Sequence, residues 1–178
     1  MANFTPIERE TATGEVAELL AQVQKSLGRT PNMTKLMANS PTLLQSYLAL
    51  SGALAGGTLK PAVRERLAIA SAQLNGCEYC LSAHTFSGGK FAKIDAAELD
   101  KARRAESDDP HIDAVLKLAT TIAENAGDVN EAELKAAREA GVSDEEIGEI
   151  VANVAWNTLT NYFNVLAQTE NDWPVVTL

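Results

Sequence analysis

The chain carries only two cysteines, aromatics make up only 5% of it, and it has fifteen basic residues against twenty-four acidic ones. So few cysteines exclude a disulfide framework as the source of its stability. A formal net charge of -9 excludes the basic surface that nucleic acid or an anionic membrane requires, so neither is expected as a partner. No apolar run approaches the roughly 20 residues needed to cross a bilayer. The opening stretch Met1-Ala2-Asn3-Phe4-Thr5-Pro6 has no basic segment leading into an apolar one, so no signal peptide and a cytoplasmic location are expected. Also missing are an alternating strand pattern, a repeat of fixed period and a low-complexity linker.

What is there points to helices. Apolar residues make up 46% of the chain and alanine is abundant, which suits closely packed helices with small side chains. At 178 residues the simplest reading is one domain spanning 1–178, large enough for a real hydrophobic core.

Val16, Leu19, Leu20, Val23 and Leu27 form a helical stripe over Glu15 to Leu27. Ser40-Pro41 pairs an N-cap with proline at N1, opening a helix that carries Leu43, Leu44, Tyr47, Leu48 and Leu54 and stops at Gly56-Gly57. Lys60-Pro61 opens the next, which runs to Asn75-Gly76; a further segment follows and ends near Gly88-Gly89. Asp95 with Glu98, Asn130 with Glu133 and Ser143 with Glu146 each read as a capping box. Asp109-Pro110 starts a helix ended by Gly127, and the last helix is long, about 144–169, before a tail from Asp172-Trp173-Pro174. The fold class is all-α.

The two cysteines stand three apart, Cys77 and Cys80, and His84 follows four residues on. On a helix these positions share one face. Gly76 breaks the preceding helix, which places both thiols in the first turn of the next, where the helix dipole favours the thiolate. His84 can accept or relay a proton near neutral pH. Two thiols so placed lie within bridging range, so one can attack an oxidant and the other resolve the product. Glu65, on the preceding helix among Ala68, Ile69 and Ala72, is a poorly solvated carboxylate suited to proton transfer; its alternative is a surface ion pair with Arg64 or Arg66.

The cluster has other readings: buried inert cysteines, or zinc held by Cys77, Cys80, His84 and a carboxylate such as Glu65. Zinc lacks a second ligand cluster. A thioredoxin-like redox motif lacks its βαβ setting.

With Glu65 included, the pattern E-x11-C-x2-C-x3-H within RERLAIASAQLNGCEYCLSAH resembles the AhpD-like alkylhydroperoxidase family of the carboxymuconolactone decarboxylase superfamily. TNYFNVLAQTENDWP is similar to the C-terminal helix of its peroxidase-related branch. The resemblance runs from near Pro31 to Pro174, with the core motif at about 60–90. It implies an AhpD-like helical domain, assembly into trimers or hexamers, and reduction of hydrogen peroxide or organic hydroperoxides by a dithiol pair. By position, Cys80 would attack, Cys77 would resolve, and Glu65 and His84 would relay protons. Electrons would come from a lipoyl-bearing protein or another dithiol donor, with no haem, flavin, metal or other cofactor. The decarboxylase branch gives paired cysteines no obvious role. Where the best-characterised members of that family have C-x-H-C, this chain has Tyr79, a residue with no base function at neutral pH that should point away from the face of Cys77 and His84. The competing class is a redox sensor or oligomeric interaction protein that forms the disulfide with little turnover.

Asn153, Asn157, Asn161, Asn164 and Gln168 make one polar stripe on the last helix, expected to face another helix, a subunit or the approach to the site. Asn157 or Asn161 is the expected packing residue near the site. His111 reads as a surface residue, Trp156 and Trp173 as packing, and Leu81 and Phe86 as candidates for an apolar entrance.

Overall fold

The computed structural model describes residues 2–178, which contain nine α-helices and no strand. In chain order these are α1 (Gly14–Leu27), α2 (Asn32–Met37), α3 (Pro41–Ala55), α4 (Pro61–Leu74), α5 (Glu78–Lys90), α6 (Ala96–Arg103), α7 (Pro110–Glu124), α8 (Glu131–Glu139) and α9 (Asp144–Ala167). The all-α expectation holds. The short α2 was not anticipated: six residues after Pro31 are too few to show a helical period. Helix α7 stops at Glu124, ahead of Gly127, and α9 at Ala167, while α5 continues past Gly88-Gly89 to Lys90.

Helix α4 is the element around which the rest is arranged. Positions 66 to 72 are all buried, so the helix is enclosed rather than amphipathic. Ile69 and Ala72 join a core cluster built with Leu19, Leu20 and Val23 of α1, Leu44 and Tyr47 of α3, and the start of α5. Val63, Leu67 and Ala70 join a second cluster with Val115, Leu116 and Ala119 of α7 and Ile150 of α9. Leu67 and Ile69 are almost wholly buried, each stabilising the fold by about 1.5–3 kcal/mol.

Gly76 makes the turn from α4 into α5 with φ +66°, a conformation that a side chain would strain. Cys77 N–H closes the turn onto Ala72 O at 2.9 Å. Helix α5 therefore doubles back along α4, which brings Glu65 and His84 face to face. Gly57 has a different reason for being glycine: a Cβ there would run into the Glu149 carboxylate. That carboxylate accepts from the N–H groups of Thr58 (2.6 Å) and Leu59 (2.9 Å), fastening the α3–α4 loop to α9.

Asn130 and Ser143 form complete capping boxes. Asp95 does not. It accepts from Glu98 N–H, but the Glu98 carboxylate turns away to Ser107 Oγ (2.6 Å), Asp108 N–H (3.0 Å), Lys101 and Arg66. Ser107 first, then Asp108, Lys101 and Arg66, hold its pKa down to about 2 against the opposing effect of burial. The pair with Arg66 ties α4 to α6, which removes Arg66 as a partner for Glu65.

His111 is better connected than its surface reading. Its Nε2 lies 2.9 Å from Glu146 Oε1 and its Nδ1 3.2 Å from Ala140 O, joining α7 to the α8–α9 corner. Desolvation works against the charged ring, but the hydrogen bonds it donates to Glu146 and Ala140 O outweigh it, so the pKa of His111 lies above its ordinary 6.5. That of Glu146 lies below its ordinary 4.5, because hydrogen bonds from Ser143 and His111 outweigh desolvation. A raised histidine stabilises the fold fully below 6.5 and loses its contribution as pH rises through the folded pKa. A lowered glutamate contributes above 4.5 and loses its contribution as pH falls through its folded pKa. The pair therefore contributes most between these limits. His111→Gln should lower thermal stability more at pH 6 than at pH 9, by about 0.5 kcal/mol once solvent screening is included; an equal loss at both values would contradict this.

Candidate active site

Cys77 and Cys80 are joined in a disulfide at the start of α5, with Cα atoms 5.3 Å apart. Cys77 is the N-cap residue, and its Sγ accepts from Cys80 N–H at 3.2 Å. Cys80 occupies the third helical position. Both are buried, but only Cys80 lines a cavity of about 480 Å³, while Cys77 sits behind the wall. A small molecule entering this cavity would meet the Cys80 sulfur.

His84 and Glu65 line the same cavity. His84 Nδ1 is 2.8 Å from Glu65 Oε2, and both side chains are about three-quarters buried. With Nδ1 engaged by the carboxylate, Nε2 is left free for other chemistry. The ring meets Trp156 edge-on, at 6.3 Å between centroids. Trp156 in turn stacks on Tyr47 at 5.7 Å. Burial first, and then the charge of Glu65, push the Tyr47 phenol up to about 12, so it stays protonated.

Four of the five stripe residues on α9, Asn153, Asn157, Asn161 and Asn164, are buried and turned inward; Gln168 is exposed and caps the helix in a left-handed conformation. Asn161 accepts from Asn75 Nδ2 at 3.0 Å, behind the α4–α5 turn. The stripe residue that reaches the chemistry is Asn164, which sequence reasoning passed over in favour of Asn157 and Asn161. Its Nδ2 lies 3.3 Å from Cys80 Sγ, 2.9 Å from Thr160 O and 3.0 Å from Met33 Sδ. A donor in that position would favour negative charge on the Cys80 sulfur.

Tyr79 shares the cavity wall, but its hydroxyl is committed elsewhere. It donates to Asp172 Oδ1 at 2.8 Å and accepts from Met33 N–H at 3.4 Å. Desolvation, and then the charge of Asp172, raise its pKa above the ordinary phenol range. It serves as an anchor for the C-terminal tail. Asp172 also binds Arg29 and Asn32 N–H, and Trp173 lies beneath the Arg29 guanidinium, 4.3 Å from it, and beside Phe86. Trp156 and Trp173 pack against the core cluster as expected, and both also line the cavity. Leu81 is instead fully buried in the core, and Phe91 rather than Phe86 lines the cavity. Among the described residues, no three His, Cys, Asp or Glu side chains are grouped as metal ligands.

Residues 41–108, which include α4, the α4–α5 turn and α5, match the model of the carboxymuconolactone decarboxylase family. The fold is similar to an alkylhydroperoxidase AhpD core, an uncharacterized peroxidase-related protein from Ralstonia eutropha JMP134, with TM-score 0.85 and 25% identity over 96% of this chain and 92% of that one. It is also similar to a peroxidase-related protein from Silicibacter sp. TM1040, with TM-score 0.76 and 22% identity over 93% and 86% of the two chains. A third likeness is to a cysteine-to-alanine variant of the debrominase Bmp8 in complex with 2,3,4-tribromopyrrole, with TM-score 0.78 and 18% identity over 97% and 92%. No curated protein matches the chain.

Proposed function

We propose that this chain, an AhpD-like member of the carboxymuconolactone decarboxylase superfamily by its fold and its match over residues 41–108, is a thiol-dependent peroxidase that reduces hydrogen peroxide or organic hydroperoxides. The observation that carries the reading is the asymmetry of the pair: Cys80 faces the cavity beside the Glu65–His84 couple, and Cys77 waits behind it within bonding range.

His84, oriented by Glu65, takes the Cys80 proton. The thiolate attacks the terminal oxygen of the hydroperoxide, forming the S–O bond as the O–O bond breaks. The alkoxide (hydroxide, when the substrate is hydrogen peroxide) recovers the proton from His84 and leaves as the alcohol or as water. Cys77 then attacks the Cys80 sulfenic acid, releasing water and closing the disulfide. A dithiol donor, a lipoyl-bearing protein by family resemblance, exchanges with the disulfide, restores both thiols and leaves oxidised itself. No metal or cofactor takes part in this scheme, and a reducing compartment such as the cytoplasm would suit it. Steady-state consumption of cumene hydroperoxide with dihydrolipoate as donor tests the reading. Disulfide formation without turnover under any dithiol donor would favour a sensor instead.

The partner proposed beyond substrate and donor is a second copy of the chain, as a trimer or hexamer. Helix α9 turns its asparagines inward and leaves Val151, Tyr162, Val165 and Leu166 each at least half exposed, with Leu159 about one-third exposed. An apolar face of this kind on a soluble domain is usually covered by a partner. Light scattering should give a mass near three or six times 19.0 kDa, and Tyr162→Asp should lower it; a monomer at micromolar concentration would contradict the proposal.

A further inference from the structure

We propose that Arg64 is an anion subsite in the cavity, so that the molecule bound there has an apolar body and one carboxylate. On the peroxidase reading, on which the choice of substrate rests, that molecule is the hydroperoxide of a small organic acid.

Size is the first argument. At about 480 Å³ the cavity has the dimensions of a small-molecule site and far exceeds what hydrogen peroxide needs. Its walls are the second. Met33, Tyr47, Leu54, Phe91, Trp156 and Trp173 supply apolar and aromatic surface that favours a hydrocarbon or aromatic body and does nothing for a small polar peroxide.

Arg64 is the third. Among the described residues it is the only lysine or arginine in the cavity lining. It also stands apart from the other six arginines. Arg9, Arg29, Arg66, Arg103, Arg104 and Arg138 each make a hydrogen bond or ion pair to another group. Arg64 makes neither among the described residues, and its Nε is buried without a partner. The carboxylates within reach of its charge are already engaged. Glu149 uses its oxygens to accept from Thr58 and Leu59 N–H, and Glu65 is held by His84.

The buried Nε–H of this partly buried side chain has no acceptor, which is costly, and a carboxylate can satisfy it together with a neighbouring guanidinium N–H in two parallel N–H···O bonds. The rest of the chain gives this cation its importance. With a net charge of -9 the protein repels anions in general, so a local positive group decides whether one is admitted. Arg64 sits one turn after Pro61 on the face of α4 that also presents Glu65, so the anchored end of a ligand and the proton relay belong to the same helix.

The test separates binding from turnover. The only two tryptophans, Trp156 and Trp173, both line the cavity, so intrinsic fluorescence reports ligand entry directly. Titration of the reduced protein with para-isopropylbenzoate and with its methyl ester, neither of which is a peroxide, should show the acid binding at least about tenfold tighter. Arg64→Met should bring the ratio to about one, and Arg64→Lys should keep part of the preference. Equal affinities for acid and ester in the wild type, or a preference that survives Arg64→Met, would overturn the subsite. The parallel kinetic arm compares cumene hydroperoxide bearing a para carboxylate with its methyl ester, for which the same ratio should appear in kcat/KM. An acid preference in binding without turnover of any hydroperoxide would leave the anion subsite standing and sink the peroxidase reading. Turnover of both hydroperoxides at equal kcat/KM would do the reverse.

Discussion

Cys80→Ser should lower steady-state hydroperoxide turnover at least about a thousandfold, to the level of the uncatalysed donor reaction. The serine hydroxyl keeps the shape of the site but remains protonated at neutral pH, so no nucleophile faces the cavity. Cys77→Ser should behave differently. Cys80 still attacks, and one equivalent of alcohol should form as a sulfenic acid accumulates. Without donor the reaction should then stop for lack of a resolving thiol, and no disulfide between positions 77 and 80 should form. The two variants separate because only one of the sulfurs reaches the cavity wall. Should Cys77→Ser instead lose the first equivalent while Cys80→Ser retains it, the order of attack is reversed. A carbon-nucleophile trap for the sulfenic acid, followed by mass measurement, reads the difference directly.

The second large effect belongs to Glu65. Glu65→Gln preserves size and one acceptor oxygen but removes the charge that His84 meets at 2.8 Å. The amide can also present its NH2 to Nδ1, which would fix the ring in the tautomer whose Nε2 carries the proton and cannot accept one from Cys80. kcat/KM should fall about a hundredfold or more, while Cys80 and its disulfide-forming ability remain intact. Because the carboxylate is about one-quarter exposed, the loss of fold stability should be small beside the kinetic loss. Turnover within a few-fold of the wild type would remove Glu65 from the relay. A rate restored by added imidazole in a His84→Ala background, but not in the wild type, would place proton transfer at that position.

The parts of the site that the sequence made legible are those close together along the chain. Cys77, Cys80 and His84 span two helical turns, so spacing alone put them near one another. Glu65 lies on the adjacent helix, and the turn at Gly76 folds that helix back upon them. Helix ends were legible where the capping chemistry is local, as at Ser40, Asn130 and Ser143. Asp95 failed as a box because distant groups, Arg66 and Ser107, compete for the Glu98 carboxylate. Asn164, Trp156 and Trp173 enter the site from segments more than seventy residues beyond Cys80. Nothing in local periodicity says which member of an asparagine stripe will reach a sulfur. The stripe itself was legible, because asparagine is a poor choice for a solvated helical face. Tyr79 stands where the best-characterised members of the family it resembles carry histidine, and its hydroxyl is taken up in holding Asp172. On the proposed peroxidase reading, the proton relay would therefore fall to Glu65 and His84, which meet at 2.8 Å.

Treatment of the reduced protein with one equivalent of cumene hydroperoxide, followed by peptide mass analysis, tests the dithiol cycle most directly. The account predicts that the peptide containing Cys77 and Cys80 loses two hydrogens, that an equal amount of alcohol appears, and that dihydrolipoate restores the original mass. Hydroperoxide consumed while that peptide keeps both thiols, or a peptide left unchanged with no alcohol formed, would contradict it.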